Sequence, residues 1–173
     1  MKSAIAIALV ICLLTTTTKA NFQTVSFNII DTSSKASLSS LLTLYYELKD
    51  DLVNDNASAA STTAAEFLSA INNIDTKLLS TSDAKIFTQL QSKLAFDARH
   101  ISEVKSIGHQ REHFASLSSN MYELAKNVKL SGNPVYQQYC PMKKSYWLSN
   151  ETKIKNPYYG KQMLTCGKVS RIL

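Results

Sequence analysis

From residue 38 onward the apolar positions of the chain recur at helical spacing. Leu38, Leu41, Leu42, Tyr45, Leu48 and Leu52 follow the i, i+3, i+4, i+7 rule and predict an amphipathic helix from about Ser37 to Val53. Asp55 or Asn56 suits the cap of a second helix, whose stripe is Ala60, Ala64, Phe67, Ile71 and Ile74. Ser82 or Asp83 opens a third, striped by Ile86, Leu90, Leu94, Ile101 and Val104, with Gly108 as its stop. A fourth carries Phe114, Leu117, Met121, Leu124 and Val128. Four such helices on short connections predict a mainly α fold, an up-down four-helix bundle whose stripes are core. Ahead of them Phe22, Val25, Phe27 and Ile29 alternate weakly, which reads as an N-terminal arm or short edge strand over residues 21–34.

The pattern changes at about residue 131. Residues 21–130 hold no Pro, no Cys and one Gly, whereas the last 43 hold Pro134, Pro141, Pro157, Cys140, Cys166 and Trp147. A long helix cannot run through those prolines. Val135–Tyr139, Ser145–Leu148 and Gln162–Thr165 read as short strands, and Asn156-Pro157-Tyr158-Tyr159-Gly160 as a turn. The expected architecture is a single domain over residues 35–173: a bundle over 35–130 and a small Cys-containing β-rich C-terminal cap over 131–173.

At 173 residues, 45% hydrophobic and 18% charged, the chain suits one globular core. Its start reads as a leader. Lys2 precedes an eleven-residue apolar run, Ala4 to Leu14, and Thr18 and Ala20 occupy the small-residue positions of a cleavage site, so residues 1–20 are expected to be a removed signal peptide. That run is well short of the ~20 residues a membrane span needs. The mature protein is therefore expected to be exported, without a transmembrane segment, in a compartment where disulfides persist. Taking Lys2 and Lys19 from the 19 basic residues leaves 17 against 13 acidic, a mature charge of +4. The basic, aromatic tail has a composition suited to nucleic acid, but export argues against that partner.

Two sulfur clusters stand out: Cys140-Pro141-Met142 and Met163-Leu164-Thr165-Cys166 each pair a thiol with a thioether. Soft sulfur ligands select Cu(I). His109 and His113 are four residues apart and share a helix face, a spacing that chelates one ion. His100, nine residues before His109, falls on the opposite side of a continuous helix. If the chain turns back at Ser131-Gly132-Asn133-Pro134, Cys140 returns to the bundle end holding the histidines. The competing reading of Cys140 and Cys166 is a structural disulfide. His109–His113 also fits H-x-x-E-H, but a hydrolase needs a third ligand and a cleft, so no enzyme is expected.

The runs Val135-Tyr136-Gln137-Gln138-Tyr139-Cys140-Pro141-Met142, Tyr146-Trp147-Leu148-Ser149, Asn156-Pro157-Tyr158-Tyr159-Gly160 and Met163-Leu164-Thr165-Cys166-Gly167 resemble the bacterial domain of unknown function numbered 3347. Gln110-Arg111-Glu112-His113-Phe114 is similar to that family's helix, and the resemblance spans about residues 35 to 170. It implies a small exported, periplasmic protein related to a domain found at the end of heavy-metal efflux adaptors. It also implies Cys140, Met142, Met163, Cys166 and His113 as ligand positions; His109 joins them on the helix spacing alone. The expected function is a periplasmic binding protein for a soft metal ion, copper, acting in sequestration or transfer to an efflux component. The alternative is a non-enzymatic interaction module stapled by Cys140–Cys166.

Overall fold

The computed structural model describes residues 29–173, with side chains from residue 38 onward. The leader over 1–20 and residues 21–28 of the arm lie outside the described residues. The apolar stripes fold as four helices: α1 (Ile29–Val53), α2 (Ala57–Asn72), α3 (Thr81–Glu103) and α4 (Ile107–Asn127). Helix α1 begins ahead of the expected Ser37 and takes in residues 29–34 of the arm. Asp31 to Ser37 holds one apolar residue, Ala36, so periodicity has nothing to register there.

Caps set the remaining boundaries. Asn56 accepts a hydrogen bond from Ala59 N at 3.1 Å and opens α2. Ser80, ahead of the expected Ser82 or Asp83, opens α3 by accepting from Asp83 N at 3.2 Å. Gly108 does not stop α3; it lies in the first turn of α4, and the break falls at Val104–Ser106. On α3 the buried apolar residues are Phe87, Leu94, Ala98 and Ile101, while Ile86 and Leu90 are only half-buried. With Ile86 and Phe87 adjacent, packing against α2 and α4 decides which of them turns inward.

Each helix packs on the next, through short turns that make successive helices antiparallel. The α1–α4 seam is wider and aromatic. Tyr45 stacks on Phe114 with ring centroids 5.2 Å apart, Phe114 meets Tyr158 at 6.0 Å, and Tyr158 meets Trp147 edge-on at 5.9 Å. Tyr158 and Trp147 belong to the C-terminal cap, so bundle and cap share one hydrophobic core. The Tyr45 hydroxyl links the two polar sides of this seam: it accepts from Leu148 N at 3.0 Å and shares a hydrogen bond with Ser118 Oγ at 2.7 Å. Burial pushes its phenol well above the ordinary range. Tyr45→Phe is expected to leave the Leu148 N–H without a partner and to cost about 1–2 kcal/mol in urea unfolding.

The cap is a three-stranded antiparallel sheet of β1 (Tyr136–Cys140), β2 (Ser145–Ser149) and β3 (Lys168–Ile172), in the order β2-β1-β3. The first two strands lie within one residue of expectation. The third does not: Gln162 closes a short 3₁₀ segment, Gly160–Gln162, residues 163–165 form a bend and turn, and the strand follows at Lys168. All five β3 residues are exposed, so no alternation of buried positions marked it. A bulge opposite Gln137/Gln138 and the charges of Lys168 and Arg171 guard this edge against stray pairing.

The segment after β2 is bound back to the bundle through one arginine. Arg111 of α4 donates to Pro157 O at 2.8 Å, to Leu52 O at 2.7 Å and to Asp55 Oδ1 at 2.6 Å. Asp55 Oδ2 accepts in turn from Lys161 N at 3.2 Å. Gly160 has φ +53°, and a Cβ there would collide with both Arg111 and Asp55. Hydrogen bonding and charge from Arg111 hold the Asp55 carboxyl below the usual range. A depressed carboxylate contributes stability above its unfolded value, and that stability is lost as pH falls through the folded one. Asp55→Asn is therefore expected to flatten the acid limb of the stability–pH curve below about pH 4. Thermal melts of both proteins across that range check this.

Candidate metal centre

The two cysteines come from separate parts of the cap, a strand end and a turn. Cys140 ends β1 and is fully buried; the β1–β2 turn that follows carries Met142, 62% exposed. Cys166 is half-buried in the turn after the 3₁₀ segment, where its N–H bonds Met163 O at 3.0 Å. Met163 is half-buried beside it in sequence. Both cysteines are free thiols and lie in neighbouring segments of the fold. Burial pushes the Cys166 thiol up, the Cys140 sulfur adds to this, and a hydrogen bond from the Met142 backbone partly offsets it.

Around Cys140 the sulfur is held by nitrogen donors. Lys143 N reaches Sγ at 3.4 Å and Asn156 Nδ2 at 3.1 Å. Asn156 Nδ2 also donates to Cys166 O at 2.7 Å, so one amide joins both cysteine-bearing segments. In sequence Asn156 reads only as turn chemistry beside Pro157. Its role depends on partners ten and sixteen residues away, which local pattern does not reveal.

The histidines form a second cluster. His113 Nδ1 lies 3.2 Å from Oδ1 of the buried Asp97, on α3. His100 stacks on His113 with centroids 4.6 Å apart, His109 meets His113 at 5.0 Å, and Phe96 packs on His100 at 4.2 Å. His100 was set aside as lying on the far side of a continuous helix. The break at Val104–Ser106 instead puts it on α3, facing α4.

The expected return of the chain to this end of the bundle is realised, as the Arg111–Pro157 bond shows. The two clusters nevertheless occupy opposite flanks of α4. On one flank Arg111 reaches the cap and Ser118 reaches Tyr45; on the other, His113 reaches Asp97 of α3. At 100° per residue, Arg111 and His113 point about 160° apart. The structure thus brings the Cys140 and Cys166 segments together, with Met142 and Met163 within three residues of the cysteines, and turns His109 and His113 away from them. Among the described residues no three His, Cys, Asp or Glu side chains are grouped to hold a metal ion, and no helix is long and apolar enough to cross a membrane. The donor set suits a soft ion: two free thiols in segments joined by Asn156, and two thioethers nearby in sequence.

Fold and site together define a four-helix-bundle protein whose cap carries two free thiols, one buried and one half-buried. The chain belongs to the family described as Protein of unknown function (DUF3347), whose profile matches residues 41–133. That span takes in α1 from Leu41, the other three helices and the turn after α4; the cap and its cysteines lie beyond it. No curated protein and no solved structure matches the chain.

Proposed function

We propose that the protein binds one soft metal ion, copper(I), as cargo on Cys140 and Cys166, with Met142 and Met163 as thioether donors. The observation that carries this reading is that one buried amide, Asn156, bonds both Cys140 Sγ and Cys166 O, holding together two free-thiol segments that each carry a methionine within three residues of the cysteine. Thiolate and thioether sulfur favour Cu(I) over harder ions. Cargo held near the surface, with the exposed Met142 at the rim, suits sequestration or hand-over to a periplasmic efflux component. Export to the periplasm rests on the Ala4–Leu14 run and the Ala20 cleavage position. His109 and His113 are left out of this ligand set, since His113 bonds Asp97 of α3 and His109 is exposed beside Glu112.

Copper K-edge absorption of the reduced, Cu(I)-loaded protein tests the ligand set. Sulfur-only scattering around copper is the expected result. Imidazole in the coordination shell would return the histidines to the site and overturn the sulfur assignment. The interaction-module reading, with Cys140 and Cys166 bonded to each other, draws on the same joined segments and on the full burial of Cys140. It is separated from the carrier by whether the reduced protein takes up metal at all.

A further inference from the structure

We infer that Asn156 is the positioning residue of the cysteine pair, and that it makes the pair a mononuclear, low-coordinate site for a monovalent soft cation, Cu(I) or Ag(I), and not for Zn(II). This rests on the sulfur reading above. Asn156 is fully buried, and each polar group it carries is engaged. One side-chain donor serves Cys140 Sγ and the other serves Cys166 O; Oδ1 accepts from Tyr158 N at 2.9 Å. Its backbone N–H donates to Leu164 O at 2.8 Å, and its carbonyl accepts from Gly160 N at 3.0 Å. An asparagine amide has two N–H donors to give. Here one goes to a sulfur, although oxygen acceptors bond more strongly. What that bond achieves is orientation: it fixes the Cys140 sulfur relative to the segment that holds Cys166.

The consequence for ligation follows from counting directions on sulfur. A thiolate has three lone pairs. Lys143 N and Asn156 Nδ2 approach Cys140 Sγ and occupy two of them. The third remains for a metal, and the neighbouring thiol is that of Cys166, whose carbonyl is held by the same Asn156 amide. Cys140 is thereby a terminal ligand that cannot bridge two metals. Zn(II) takes four ligands drawn from Cys, His and carboxylate. Among the described residues no third such side chain is grouped with the pair. A monovalent d¹⁰ cation is satisfied by two thiolates with a thioether alongside.

The test uses the reduced full-length protein, ¹⁵N-labelled, titrated with Ag(I), Cu(I) or Zn(II). The expected result is saturation at one equivalent of Ag(I) or Cu(I), a shift of the Asn156 side-chain amide proton on loading, and no displacement by excess Zn(II). Asn156→Asp, which removes the N–H donor at nearly constant shape, is expected to lower Cu(I) affinity about 10–100-fold, as loss of an outer-sphere partner does elsewhere. If wild type binds no Cu(I) or Ag(I), the sulfur reading itself fails. If it binds them but the Asn156 amide does not move, or Zn(II) displaces them, this inference alone is overturned. Should Asn156→Asp fail to fold, the wild-type amide signal still decides. Should it fold and bind as tightly as wild type, the positioning role is refuted.

Discussion

Cys140→Ser is expected to lower Cu(I) affinity by more than about a hundredfold, exceeding the 10–100-fold typical of losing an outer-sphere partner. The substitution is nearly isosteric. A serine oxygen can keep the hydrogen bonds from Lys143 N and Asn156 Nδ2 that the sulfur now accepts. The bundle and cap are therefore expected to stay folded, so the loss is one of ligand chemistry: a hydroxyl is a hard, weak donor to Cu(I). Competition against a chromophoric Cu(I) chelator reads the affinity, and a thermal melt on the same sample reads the fold. The paired control is His109→Ala with His113→Ala. His113 bonds Asp97 of α3 and His109 is exposed beside Glu112, so the double variant is expected to hold copper as wild type does. Normal binding by Cys140→Ser, or loss in the histidine variant, would reverse the assignment.

The largest stability effect is expected at Gln110. It is fully buried, and its amide nitrogen lies 2.9 Å from Ala57 O, 2.9 Å from Val104 O, 2.9 Å from Ser61 Oγ and 3.3 Å from Ile101 O. Two N–H groups thus serve the start of α2 and the end of α3 together. The carbonyls near a helix C-terminus have no partners within their own helix and depend on such donors. The opposite amide orientation would aim Oε1 at those carbonyls, so the assignment of the nitrogen is fixed by its surroundings. Oε1 itself has no partner. Gln110→Leu keeps the volume and removes the donors. An unsatisfied buried group costs about 1–3 kcal/mol, so a net loss of about 3 kcal/mol is expected. Urea unfolding followed by circular dichroism should show a lower midpoint with an unchanged slope. A shift below about 0.5 kcal/mol, the scatter of ordinary surface substitutions, would remove Gln110 from its structural role.

How much of this was legible beforehand depended on whether burial was periodic. The stripes of α1 and α4 were readable because every residue named in them is buried. On α3 the adjacent pair Ile86-Phe87 left the face undecided, since only the neighbouring helices select between them. In the cap, β1 and β2 showed through their aromatic residues. Strand β3 is an edge strand exposed throughout and carries no hydrophobic alternation. The sulfur pair was visible in composition alone, because each thiol travels with a methionine. Asn156 was not, since its work is done through Cys140, Cys166 and Tyr158 across the fold. For the histidines, spacing shows that His109 and His113 share a face, but which neighbour that face meets is a tertiary fact: His113 bonds Asp97 of α3. The family match covers residues 41–133, the bundle, and the thiol-bearing cap lies beyond the matched residues.

The central claim is that Cys140 and Cys166 are reduced thiols that capture one soft metal ion. Native intact-mass spectrometry of the mature protein, offered Cu(I) under reductant, tests it most directly. One copper retained on a protein of fully reduced mass is the expected result. A disulfide-linked mass that takes up no copper, even after reduction, would contradict it and leave the pair as a staple of the cap.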